Sequence, residues 1–88
     1  MKISKSILVV DDHPIVLAGL RTLISQDGLY TKIQCASDLP SAREIINQEN
    51  IDTAIIDLEL SNDNGLALIK LLHQEHPKTK IVVYTMHQ

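Results

Sequence analysis

Asp11 and Asp12 end the apolar run Ser6 to Val10, Asp57 ends the run Thr53 to Ile56, and Thr85 ends the run Lys80 to Tyr84. A carboxylate placed directly after a buried apolar run needs a partner or a shifted pKa. If these runs are neighbouring strands, about 4.8 Å apart, the three carboxylates and the hydroxyl converge on one pocket. Two carboxylates about 4 Å apart repel by about 4 kcal/mol at an effective dielectric near 20, and a third adds to this. A hard divalent cation offsets that repulsion. Mg2+ suits such a place, because it uses one or two carboxylates, keeps several waters and accepts phosphate oxygens as further ligands. A carboxylate beside it can act as a nucleophile toward phosphorus and form an acyl phosphate.

Taken singly, each signal has a plainer reading. Asp11 and Asp12 fit a helix N-cap and its solvated neighbour, Thr85 fits a β-branched strand end, and Gly65 fits backbone punctuation at a helix start. The convergence of three strand ends is what favours the pocket.

The elements that must position these groups follow from hydrophobic spacing. Four short runs read as strands: Ser6 to Val10, Lys32 to Ala36, Thr53 to Ile56 and Lys80 to Tyr84. The first, third and fourth lack polar alternation, the pattern of strands covered on both faces of a parallel sheet. Between them, the spacing predicts a first helix with Pro14 as its first residue, Val16, Leu20, Leu23 and Ile24 on one face, and Gly28 at its end. A second helix is expected from near Asp38 to near Asn50, with Leu39, Ala42, Ile45 and Ile46 inward. A third is expected from about Asn64 to His76, with Leu68, Leu71 and Leu72 inward and Pro77 ending it. The order βαβαβαβ implies right-handed crossovers, an α/β doubly wound parallel sheet, and a ligand site at the carboxyl ends of the strands.

Composition narrows the function classes. The 88 residues suffice for one domain, and a globule of this size buries only about 60 to 65% of its unfolded surface. A net charge of −3 argues against a broad nucleic-acid or anionic-membrane footprint. The single cysteine, Cys35, excludes an internal disulfide and a Cys-rich zinc site, and is expected as a buried thiol in a reducing compartment. Lysines precede the first apolar run, but Asp11 and Asp12 interrupt it too soon for a signal peptide, and no run is long enough to span a bilayer. A cytoplasmic location is the expectation. Histidines 13, 73, 76 and 87 show no paired spacing on a common face with carboxylates, so no zinc site is expected, and His73 and His76 are placed on a helix surface.

The segments ILVVDDHPIVLAGL, TAIIDLEL with Gly65 downstream, and KIVVYTMH resemble the receiver domain of bacterial two-component response regulators. The Asp-Asp-His-Pro form with the later Gly-Leu is similar to the NarL/FixJ-type subfamily. The resemblance covers essentially the whole chain. It implies a flavodoxin-like receiver fold with strand order 2-1-3-4-5, and a non-enzymatic signalling role in which a sensor histidine kinase supplies a phosphoryl group to Asp57. It further implies that Asp11, Asp12, Asp57 and the backbone carbonyl of Glu59 hold Mg2+. Thr85 would contact the phosphoryl group, with the Met86 backbone N–H nearby, and Glu59 and His87 would influence how fast that group is lost. A parent protein of this type carries a helix-turn-helix domain and regulates transcription, while these residues make no direct nucleic-acid contact.

Two departures from the family pattern stand out. Ser61, in the polar run Ser61 to Asn64, stands where receivers usually have a proline. The sequence given stops after the fourth strand, whereas receivers continue through a helix, a fifth strand ending in a phosphoryl-contacting lysine, and a last helix. Lysines 2, 5, 32, 70, 78 and 80 cannot take that place. Residues 1–88 are therefore expected to be the N-terminal portion of a receiver, with an exposed fourth-strand edge prone to self-association. An interaction module of receiver fold that does not switch is the rival of a different class. A Mg2+-dependent aspartate-nucleophile phosphohydrolase is disfavoured because adjacent aspartates do not fit its Asp-x-Asp pattern. A flavin carrier is disfavoured because Asp-Asp-His-Pro would repel a phosphate.

Overall fold

The computed structural model describes residues 5–60 and 65–85. Seven elements alternate along the chain: β1 Ser6–Val10, α1 Pro14–Asp27, β2 Lys32–Ala36, α2 Leu39–Gln48, β3 Thr53–Asp57, α3 Gly65–Glu75 and β4 Lys80–Tyr84. The strands form one parallel sheet in the order β2-β1-β3-β4. β1 and β3, each with a chain on both sides, hold the most deeply buried residues: Leu8, Val9, Val10, Ala54 and Ile56 expose none of their surface. β1, β3 and β4 are neighbours in that order, as the pocket requires. The third strand runs one residue further than its apolar pattern suggested, because Asp57 itself pairs in register with Tyr84.

The sheet's two faces are covered unequally. On one face, Leu8, Val10, Ala36, Ala54 and Ile56 pack with Ala42 and Ile46 of α2 and Leu68 and Leu72 of α3 into a single core. Leu39, Ile45 and Leu71 pack against it, as their helical spacing predicted. The other face carries α1, which has no fully buried residue. Its partly buried stripe is Val16, Leu17, Leu20 and Ile24. Leu23, expected inward, is 64% exposed, because it falls on the flank of the stripe that α1 turns toward β1 and β2.

Local signals set the helix ends. His13 is the N-cap of α1 and Pro14 its first residue, where a missing N–H forfeits no helical bond. Gly28 closes the helix in the left-handed region at φ 71°, a conformation other residues reach only at a steric penalty. Asp38 caps α2 by accepting the Ser41 N–H at 2.8 Å, and hydrogen bonding from Ser41, first by its side chain and then by that N–H, holds the Asp38 carboxyl below its ordinary range. The expected start of α3 at Asn64 lies outside the described residues.

β4 has the apolar pattern of a strand covered on both faces, yet it lies at the edge of the sheet, as the exposed fourth-strand edge was expected to. Among the described residues no strand pairs with its outer side, and Val82 and Val83 are each 41% exposed. Cys35 is partly exposed and not fully buried, since β2 forms the opposite edge of the sheet. No helix is long and apolar enough to cross a membrane among the described residues.

Candidate functional site

β1 ends in a turn that aims three consecutive polar side chains at one spot. The Asp11 N–H still donates to the Ala36 carbonyl at 3.0 Å, so the ladder with β2 extends to the pocket floor. Asp11 is fully buried, and its Oδ1 accepts the His13 backbone N–H at 2.8 Å, tightening the turn before α1. The same oxygen lies 2.6 Å from His13 Nδ1. Asp11 Oδ2 accepts from the Tyr84 hydroxyl. Since Tyr84 is level with Asp57 on β4, its side chain must pass across β3 to reach β1.

Asp57 comes up between these two strands and is also fully buried. Its Oδ1 accepts the Glu59 N–H at 2.9 Å, whereas its Oδ2 has no hydrogen-bond partner among the described residues. A buried, unpaired carboxylate oxygen is costly in a finished core and marks a place made for a ligand. Burial pushes the Asp57 carboxyl above its ordinary range, and the charges of Asp11 and Asp12 add to this. The Glu59 N–H and His13 oppose the shift.

His13 faces the whole cluster. Its Nδ1 stands 3.1 Å from Asp12 Oδ1 and 3.9 Å from Asp57 Oδ2, in addition to the Asp11 contact. The hydrogen bond to Asp11 raises the His13 pKa above 6.5, with further support from the three carboxylates and against the desolvation of the ring. Asp11, Asp12, His13 and Asp57 thus each offer a ligand atom, all within 4.8 Å of one another. The Tyr84 hydroxyl is held protonated well above its ordinary value, first by burial and then by its bond to Asp11.

Gly65 supports the site from below. A Cβ there would collide with the Asp57 carbonyl oxygen and meet Ile56 Cγ2 and Leu58 Cα at 3.2 Å. The Gly65 N–H donates to the Leu58 carbonyl at 3.3 Å. Its place in the fold is therefore a close approach of α3 to the backbone of the acidic residue, more than the start signal read from sequence.

The strand ends converge as expected for Asp11, Asp12 and Asp57. Glu59 is exposed, two residues beyond Asp57, and contributes its N–H to that carboxylate. Thr85 follows Tyr84 at the same end of the sheet with its side chain open to solvent. Met86, His87 and the run Ser61 to Asn64 lie outside the described residues. Sequence reasoning missed His13 and Tyr84. His13 meets its carboxylates through the turn after β1 and across the sheet, which corrects the expectation that no histidine shares a face with carboxylates. Its position directly after Asp-Asp was the available signal. Tyr84 read as strand filler, and nothing in its local pattern showed that it reaches past a neighbouring strand.

The response regulator receiver domain matches this chain over residues 7–88. The chain belongs to that family. The receiver is 38% identical over 87 residues to the transcriptional regulatory protein ComA of Bacillus subtilis (strain 168), covering 96% of this chain and 40% of that protein. It is 34% identical over 82 residues to a protein-glutamate methylesterase/protein-glutamine glutaminase of Vibrio vulnificus (strain YJ016), covering 93% of this chain and 24% of that protein. Its fold matches a response regulator of Burkholderia pseudomallei, solved with a phosphorylated aspartic acid, a calcium ion and citrate, with a TM-score of 0.87 and 29% identity over 97% of this chain and 49% of that one. The receiver thus spans less than half the length of these relatives. The match favours the receiver over both the phosphohydrolase and the flavin carrier.

Proposed function

We propose that this receiver accepts a phosphoryl group on Asp57, from a sensor histidine kinase, with Mg2+ in the acidic pocket. The observation that carries this reading is Asp57 Oδ2, a fully buried carboxylate oxygen without a hydrogen-bond partner among the described residues, aimed into a cluster of acidic side chains. The donor set fits a hard cation. Asp12 and Asp57 would hold it with the Glu59 backbone carbonyl, and Asp11 would help directly or through water. When bound, the ion neutralises the pocket and shields the entering phosphoryl oxygens.

The chain's own groups do the rest. The Glu59 N–H fixes Asp57 Oδ1 and so orients the carboxylate, whose Oδ2 faces the acidic cluster. Attack forms an O–P bond as the donor's P–N bond breaks, and the released imidazole of the donor takes up a proton. Asp57 must be ionised for this step; in the metal-free pocket a protonated His13 ring opposes the burial that would keep that carboxyl protonated. Thr85, at the end of the strand next to that of Asp57, would hydrogen-bond the phosphoryl oxygens. The domain is non-catalytic in its own right, acts in the cytoplasm, and passes its state to a DNA-binding output domain in a transcription regulator of the ComA kind.

The experiment is intact-mass measurement after incubation with a small phosphodonor. One acid-labile phosphoryl group is expected with Mg2+, none without it, and none in Asp57→Asn. Uptake that persists in Asp57→Asn would remove the assignment.

A further inference from the structure

Resting on the metal-binding part of that reading, we infer that His13 is a nitrogen ligand of the same site, so that the pocket takes borderline divalent cations, Co2+ and Ni2+, better than its oxygen ligands alone would allow.

The geometry is that of a coordination shell with one nitrogen in it. An octahedron with bonds of about 2.1 Å places neighbouring ligand atoms about 3.0 Å apart and opposite ones about 4.2 Å apart. His13 Nδ1 stands 3.1 Å from Asp12 Oδ1 and 3.9 Å from Asp57 Oδ2, close to a neighbouring and an opposite position respectively. Its 2.6 Å contact with Asp11 Oδ1 is a hydrogen bond. The unpartnered, buried Asp57 Oδ2 is an independent sign that a cation belongs between them.

The turn also limits where the ring can go. His13 is the N-cap of α1, its backbone N–H is tied to Asp11, and Pro14 follows at once with a fixed φ. The backbone therefore presents the ring to the carboxylates. Binding a cation needs the Nδ1 lone pair, so the proton must reside on Nε2, and the metal replaces the contact Nδ1 now makes with Asp11 Oδ1.

Chemistry then sets the preference. Mg2+ is a hard ion that favours oxygen and gains little from imidazole, whereas imidazole suits the later first-row divalent ions. His13 should therefore leave Mg2+ affinity nearly unchanged and strengthen binding along the series Mn2+, Co2+, Ni2+. Asp-Asp-His would act as a selectivity element, with the aspartates admitting any divalent ion and the histidine grading them.

Calorimetric titration of the chain with Mg2+, Mn2+ and Co2+ at one fixed pH tests this, comparing the native protein with His13→Asn and Asp57→Asn. Asparagine keeps a side-chain donor for Asp11 but has no ring nitrogen. The expected result is a roughly tenfold loss of Co2+ affinity in His13→Asn, a smaller loss for Mn2+, and Mg2+ affinity within about twofold. Electron spin echo measurements on Mn2+ bound to the native chain should show a directly coordinated 14N, which needs no variant to fold. An equal change for all three metals in His13→Asn, or no 14N coupling, overturns the histidine ligand while leaving the acidic site in place. Divalent binding that Asp57→Asn does not weaken overturns the metal reading of the pocket itself.

Discussion

Asp57 has two oxygens in different surroundings, and the difference gives the site its direction: one is tied to the Glu59 N–H and the other faces the cluster unpaired. Asp11 is the opposite case, with both oxygens already accepting from the chain. The pocket's charge is balanced in part by His13, whose pKa is raised by its bond to Asp11. A group whose pKa is higher in the folded state contributes stability that is complete below its unfolded value and lost as pH rises through the folded one. The shift of Asp57 acts in the same direction at lower pH. The metal-free chain is therefore expected to lose stability as pH rises above about 6.5, and His13→Asn to flatten that slope, both read from urea unfolding midpoints. A second expectation concerns Gly65, where any side chain meets the backbone of Asp57. Gly65→Ala should destabilise by roughly 1 to 3 kcal/mol, the usual range for overpacking a filled site, again by denaturant unfolding. The aspartates were legible because carboxylates ending apolar runs are rare and need explaining. His13 and Tyr84 were not, since their roles arise from contacts between strands that no local spacing encodes.

At the scale of elements, periodicity carried nearly everything. Apolar runs gave the four strands, and Pro14, Gly28, Asp38 and Pro77 marked helix ends by fixing φ, permitting positive φ, or accepting a free N–H. Removing the cap of α2 with Asp38→Ala should cost about 1 kcal/mol. Leu72→Ala, which empties a fully buried position between α3 and the sheet, should cost roughly 2 to 5 kcal/mol. Each is checked by the shift in unfolding midpoint at constant slope. The misreadings also have a physical origin. Leu23 shares a helical face with Leu20 by spacing, but the sheet edge under α1 selects Leu17 instead. β4 is as apolar as the buried strands, but among the described residues it pairs on one side only and leaves Val82 and Val83 open to solvent, the exposed edge that was expected. An apolar run records that burial is needed without recording which neighbour provides it.

The whole molecule is an asymmetric sheet, with a packed core under α2 and α3 and a lighter cover of α1 on the other face. An edge strand with two half-open valines is a template for pairing with another chain. Sedimentation velocity should show concentration-dependent self-association that Val82→Lys shifts toward monomer, and a monomer at every concentration would contradict that expectation. The same architecture concentrates acidic groups at one end of the sheet, where neighbouring strands end level with one another. The most direct test of that arrangement is to trap the acyl phosphate formed with Mg2+ and a phosphodonor by borohydride reduction, which converts a phosphorylated aspartate to homoserine, and to locate it by tandem mass spectrometry. Homoserine at position 57 alone is the predicted result. Homoserine at Asp11 or Asp12, or at another carboxylate with position 57 intact, would contradict the account.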